Sequence, residues 1–202
     1  MEIKIYKSSI VILASSHNPS ILSPEWINKN NVYDKKPDRF VNTNDFSFLD
    51  FKELSIVLDM NRLTISSKKH SEKTLELLSR IAGKYLELLP HNPYKALGLN
   101  FGWQIISPSN KINLTINNHD KDNISNFLNE NKIIFGGIIY VNMENCKLRI
   151  NIEPNDNILL YNFNYHHNIE NLYNDKTISF IKNYKTLLKQ SESFLKKLYQ
   201  EG

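Results

Sequence analysis

The sequence predicts an α+β fold made by tandem duplication. A β-α-β-β-β-α unit is written twice, with its strands in a curved antiparallel sheet, the helices on one face and a pseudo-twofold axis between the halves. Three observations carry this expectation. First, segments echo one another in preserved order, about half of the 202-residue chain apart. Tyr6-Lys7 and Tyr94-Lys95 each open an apolar run, Trp26-Ile27-Asn28-Lys29-Asn30 is matched by Phe127-Leu128-Asn129-Glu130-Asn131, and Leu54 to Asn61 is matched by Leu148 to Asn155. Second, short runs alternating apolar and polar follow one another with only tight turns between them, the pattern of antiparallel meanders. Third, each half closes on a long amphipathic helix. Repeats of this length imply duplicated supersecondary units rather than a solenoid. The halves are 1–92 and 93–202, joined in one compact fold of about eight strands, because a four-stranded sheet covered on one face leaves edges unpaired.

In the first half, Ile3 to Leu13 is rich in β-branched residues and stops at Ser15-Ser16-His17-Asn18-Pro19, so it reads as a strand. Ser23-Pro24-Glu25 starts a short helix: a capping hydroxyl, proline at the first helical position and an acid in the first turn. Residues 29–44 show no periodicity and read as a surface loop. Strands follow at Phe46 to Phe51, Leu54 to Met60 and Arg62 to Lys68, with Leu54, Ile56, Leu58, Met60, Leu63 and Ile65 on one face. Ser71 caps a helix to about Leu89, whose stripe is Leu75, Leu78, Ala82, Leu86 and Leu89.

The second half repeats the plan. A strand spans Tyr94 to Ile106 and a helix lies near Asp120 to Asn131. Strands follow at Ile133 to Met143, Lys147 to Glu153 and Ile158 to Tyr165, then a helix from Lys176 to Tyr199 capped by Asp175. That last helix carries six lysines against Glu192 alone, and its lysine stems cover a core helix while their charges stay hydrated. The β-saddle of TATA-box-binding protein is similar in topology only; no residue motif supports kinship.

Composition narrows the function classes. The net charge of +4 divides evenly, with 13 basic and 11 acidic residues in 1–92 and 12 and 10 in 93–202, so no basic block marks a nucleic-acid surface. About one residue in seven is Asn, as an AT-rich genome produces. Cys146 is the single cysteine, which excludes an intramolecular disulfide and a thiolate zinc cluster. The apolar run Ile10 to Ala14 is shorter than a signal-peptide core, and no stretch is long enough to span a bilayer, so a cytoplasmic location is expected.

Ile12-Leu13, His17-Asn18-Pro19-Ser20-Ile21-Leu22 and Pro24 together resemble a motif near the start of uncharacterised bacterial proteins of similar size. Leu97-Gly98-Leu99-Asn100-Phe101 and Asn162-Phe163-Asn164-Tyr165-His166 are similar to segments of the same group. The resemblance implies no activity, and therefore no catalytic residue.

Catalytic chemistry finds little support. His166-His167 are adjacent in a strand, so they point to opposite faces and make poor joint ligands. No HExxH, GxSxG, Walker loop or dinucleotide fingerprint occurs. The acids of Asp59-Met60-Asn61 and Glu153-Pro154-Asn155 sit at hairpin ends, where acid plus Asn builds a turn. Gly136-Gly137 marks a bend or bulge. No catalytic residue, metal or cofactor is expected.

Two binding sites remain as candidates. The first is the sheet face away from the helices: Arg62, Lys147 and Arg149 supply cations, while Tyr161 and Tyr165 supply aromatics for stacking. The second is a loop site between the repeats at His17, Asn18 and Asn100, which suits a small ligand or an enzyme, although Asn18-Pro19 is also ordinary turn chemistry. The expected function is a non-enzymatic binding or assembly component of a bacterial multi-protein system, antiviral defence being one such setting. A protein partner or self-association is favoured; the alternative is nucleic acid, bound on the sheet face or on the basic last helix, and no membrane contact is expected.

Overall fold

The structure is a computed structural model that describes residues 2–106, 136–155 and 158–200. These form one antiparallel sheet of nine strands and four α-helices. The strands are β1 (Glu2–Ala14), β2 (Arg39–Asn42), β3 (Phe46–Asp50), β4 (Leu54–Asp59), β5 (Arg62–Ser67), β6 (Tyr94–Ile106), β7 (Gly137–Asn142), β8 (Lys147–Asn155) and β9 (Ile158–Asn168). The helices are α1 (Pro24–Lys29), α2 (Glu72–Leu88), α3 (Asn174–Lys182) and α4 (Tyr184–Gln200). Across the sheet the order is β2-β3-β4-β5-β1-β6-β9-β8-β7, so the long central pair β1–β6 carries a meander on each flank.

Alternation sets the two faces. Ile10 and Ile12 of β1, Leu54, Ile56 and Leu58 of β4, Leu63 and Ile65 of β5 and Leu97, Leu99 and Phe101 of β6 are all buried on the helix side. Burying each such side chain contributes about 1.5–3 kcal/mol. α2 runs against β1 and β5, α3 packs on α2, and α4 lies against β6. The caps fall where the sequence places them: Ser23 Oγ accepts from the Trp26 amide at 3.2 Å, and Ser71 Oγ from the Thr74 amide at 3.3 Å. α2 also buries Ile81 and Tyr85, which widens the stripe read from sequence.

Three expectations are corrected. The segment read as a loop contains β2, whose four residues are all exposed; a strand with no buried face leaves no period-two signal. The last helix is two: α3 ends at Asn183, whose amide donates to the Phe180 and Ile181 carbonyls, and α4 starts at Tyr184. Tyr184 is fully buried with its ring 4.7 Å from Phe101, and the break lets α3 follow α2 while α4 follows the sheet. Asp175 is not the cap either; Tyr173 holds that position without a side-chain bond, and Asp175 lies in the first turn, where an acid favours the helix dipole. The helix expected at 120–131 lies outside the described residues.

A bulge shapes the centre of the sheet. Pairing in β1–β6 shifts between Ile5 and Lys7, so Tyr6 and Lys7 both oppose Gly102. A Cβ at Gly102 would stand 2.8 Å from Tyr6 Cζ and 2.9 Å from Lys7 Cβ, so only glycine lets the Tyr6 ring lie there. At the start of β7, a Cβ at Gly136 would stand 2.6 Å from the Ile152 carbonyl oxygen, which accounts for a glycine at that bend.

Candidate binding face

Among the described residues the helices all pack on one side of the sheet, and the other side is open. Its central row can be followed through the register: Arg39, Asp50, Ser55, Ser66, Ser9, Asn100, Asn164, Arg149 and Tyr140, one residue from each strand. Beside it runs a second row: Val41, Phe48, Val57, Thr64, Val11, Gly98, His166, Lys147 and Asn142. The face is therefore two chemistries side by side. The β2–β5 flank and β1 carry a mainly apolar stripe, Val41, Phe48 and Val57, then Thr64 and Val11, while the β6–β9–β8–β7 flank is amide-rich and basic.

The amides of the second flank are linked. Asn164 Nδ2 donates to Asn100 Oδ1, and Asn100 Nδ2 donates to the Gly98 carbonyl at 3.3 Å. Tyr6 Oη donates to Asn162 Oδ1 at 2.7 Å, and Asn151 Nδ2 donates to Glu153. Partial burial, with the nearby Glu153 charge adding to it, raises the Tyr6 phenol above its ordinary value and keeps the hydroxyl a donor. A Cβ at Gly98 would crowd Asn164 Nδ2 at 3.3 Å, so the missing side chain makes room for the amide pair.

The sequence candidates separate on this geometry. Arg62 lies opposite Leu13 at the end of β5, Arg149 between Asn164 and Tyr140, and Lys147 between His166 and Asn142; all three are exposed on the open face. Tyr161 and Tyr165 are on the other side, 0% and 1% exposed. Tyr161 Oη shares a hydrogen bond of 2.7 Å with Tyr199 of α4, and burial pushes both strand phenols far up. They share parity with Ile150 and Ile152 along the β8–β9 pairing, so they belong to the core and offer no ring for stacking. The accessible aromatic of this flank is Tyr140, 72% exposed. Its signal was the phase of its strand: Ile139 and Val141 pair with the core residues Ile150 and Leu148, which turns Tyr140 outward.

His17, Asn18 and Asn100 do not converge. His17 is buried against α2, its Nδ1 3.0 Å from Tyr85 Oη, and burial lowers its pKa so that it is held neutral. Asn18 caps the 3₁₀ turn Pro19–Ile21 by accepting from the Ser20 amide at 3.2 Å. Asn100 sits in the middle of the open face. A half-open hollow between the turn entering β6 and the β9–α3 connection is lined by Asn92, Lys95, Glu170, Asn174 and Thr177 among others. Its Asn174 amide is already used at 3.2 Å on the Leu86 carbonyl that ends α2.

The remaining reactive groups have structural surroundings. The Cys146 Sγ is 3.7 Å from Met143 Sδ, and burial raises its thiol pKa, which disfavours the nucleophilic thiolate. His166 is exposed, whereas His167 stacks on Phe180 at 4.5 Å, so the pair does face opposite ways. Among the described residues no three His, Cys, Asp or Glu side chains converge as metal ligands, and no helix is long and apolar enough to cross a membrane. No protein-family model, curated protein or solved structure matches this chain.

Proposed function

We propose that this chain is a non-enzymatic binding component that holds a protein partner on the open face of its sheet. The observation that carries this is the stripe Val41–Phe48–Val57, continued through Thr64 to Val11, exposed at Val41 and half-buried along the rest, and bordered by Arg39 with Asp50 and by Arg62 with Asp59. An apolar centre inside a balanced charged rim is the anatomy of a protein interface, and an apolar patch rimmed by polar residues marks an interaction site. At about 4.8 Å per strand the stripe runs roughly 20 Å, enough for a short helix or strand of a partner to lie along it.

The same reading includes an internal duplication. Counting outward from the central pair gives β1-β5-β4-β3 on one flank and β6-β9-β8-β7 on the other, which supports two units related by a twofold axis through the sheet. Within it Ser9 matches Asn100, Ser66 matches Asn164 and Ser55 matches Arg149. Tyr6 does not match Tyr94, because helix-facing positions are even in β1 and odd in β6, and an even offset would turn one strand over. The two copies have then diverged on the open face, one keeping short hydroxyls and valines, the other amides and cations.

A photo-crosslinking residue placed at Val57 or Phe48 in the native host tests the proposal. It is expected to trap a discrete protein adduct that a residue at Lys189 on α4 does not, and Val57→Glu with Phe48→Glu should abolish co-purification of that protein with the fold intact. Adducts from Lys189 alone, or co-purification unchanged by the double variant, overturn the proposal.

A further inference from the structure

The basic flank of the open face has no role in a contact centred on the valine stripe, and its chemistry differs. Lys4, Lys7, Lys147, Arg149 and His166 lie on it against Glu2 and Glu153 among its described residues, Glu2 held by Lys4 and Glu153 by Asn151. Lys7, Lys147 and Arg149 make no ion pair among the described residues, whereas Lys4 is paired with Glu2 on the same face and Lys35, Lys68 and Lys185 are paired elsewhere. The even charge balance of the whole chain hides this local excess.

Between the cations lies a floor of side-chain amides beside Gly98, with the Tyr6 ring over Gly102. Among the described residues the bonds within it leave donors and acceptors unused: Asn164 keeps its Oδ1, Asn162 keeps its Nδ2, and Asn100 keeps part of its capacity. Each remaining amide atom can make one hydrogen bond to a base edge. Tyr140 stands at the border with 72% of its surface open, next to Arg149 in the register.

We propose that the β1–β6–β9–β8–β7 part of the open face binds single-stranded nucleic acid, with Lys7, Lys147 and Arg149 on phosphates, Asn100, Asn162 and Asn164 on base edges, and Tyr140 stacked on a base. Single strands are favoured over duplex because the amides are too short to leave the sheet plane. They reach unstacked bases laid on the face, not base edges recessed in a groove. Cations that flank aromatics and amides on a sheet are a stacking platform with an electrostatic guide. An acidic protein would use the cations and leave the amides and Tyr140 unexplained.

Fluorescence anisotropy with labelled 20-nucleotide mixed-sequence RNA and DNA, a 20-base-pair duplex and polyglutamate separates the outcomes. Single strands are expected to bind at 0.15 M salt, with log affinity falling against log salt at a slope of about −2 for three phosphate contacts. Lys147→Glu with Arg149→Glu should weaken binding at least tenfold, and Tyr140→Ala by about tenfold, the scale of one lost base stack. All three residues are exposed, so circular dichroism should be unchanged, and the milder Lys147→Gln with Arg149→Gln serves if charge reversal disturbs folding. Preference for the duplex or polyglutamate, no single-strand binding at micromolar protein, or loss on reversing Lys182, Lys185 and Lys189 of α3 and α4 while the face variants still bind would each overturn the assignment.

Discussion

Ser191→Ala tests how α4 is fastened to the sheet. The Trp103 indole Nε1 of β6 donates to Ser191 Oγ at 2.9 Å, and Ser191 Oγ in turn donates to the Leu188 carbonyl at 2.7 Å. Trp103 is 5% exposed and Ser191 0%, so no solvent molecule in bulk exchange replaces a lost partner. Removing the hydroxyl leaves a buried indole N–H unpaired, at a cost of about 1–3 kcal/mol. Alanine returns about 0.5 kcal/mol through its higher helix propensity. The net expectation is a loss of about 0.5–2.5 kcal/mol, which for a chain of this size lowers Tm by about 1–10 °C. Trp103→Phe removes the donor instead, and Ser191 keeps its bond to Leu188. The double variant should therefore be less damaging than the sum of the singles by about 1 kcal/mol. Urea unfolding followed by far-ultraviolet circular dichroism measures all four proteins. A Ser191→Ala protein within about 0.5 kcal/mol of the parent, or an additive cycle, refutes the bond as a fastening.

Two glycines should respond oppositely to alanine. Gly102→Ala forces a Cβ onto the Tyr6 ring and should cost about 1–3 kcal/mol. Gly83→Ala, inside α2 with nothing within 4 Å of the new Cβ, should stabilise by about 0.5–1 kcal/mol; urea midpoints moving the same way would contradict the packing. Acid should also weaken the fold early. Burial lowers the pKa of His17, His70 and His167 below the ordinary 6.5, so the folded chain holds them neutral while the unfolded chain takes up protons. Stability is then full above about pH 6.5 and falls as pH drops through that value toward the folded pKa values. The urea midpoint should decline between pH 7.5 and 5.5, and His17→Gln should flatten part of the slope; a midpoint constant across that range would sink the linkage.

What the sequence displayed follows from where burial is one-sided. Leu54, Ile56 and Leu58 alternate with Ser55 and Val57 because one face meets helices and the other does not, and the meander β3–β5 was legible for that reason. Arg39–Asn42 has no buried face and gave no such trace. Asn183 breaks the last helix without proline or glycine, the residues that punctuate a pattern, and the demand came from burying Tyr184 beside Phe101. On the open face, the position of Arg62 and Arg149 was readable from parity. That Tyr161 and Tyr165 go to the core and Tyr140 to the surface was set by which strand face α4 covers. The linkage of Asn100 to Asn164 joins residues far apart in the chain, and no local pattern announces it.

The central pair also sets the order of events during synthesis. β1 bonds β5 only from Ser9 to Leu13, but it bonds β6 along nearly its whole length, from Glu2 to Ala14. A nascent chain that has completed α2 still shows one flank of its first strand, with Ile3 and Ile5 beside it, to the surroundings. β6 emerges roughly 90 residues after β1, a wait of about 5–20 s at the usual 5–20 residues per second. During that interval the flank is a template for any other extended chain nearby. A ribosome stalled before Tyr94 would leave that template exposed for as long as the stall lasts, so truncated products of this gene should aggregate more readily than the finished protein.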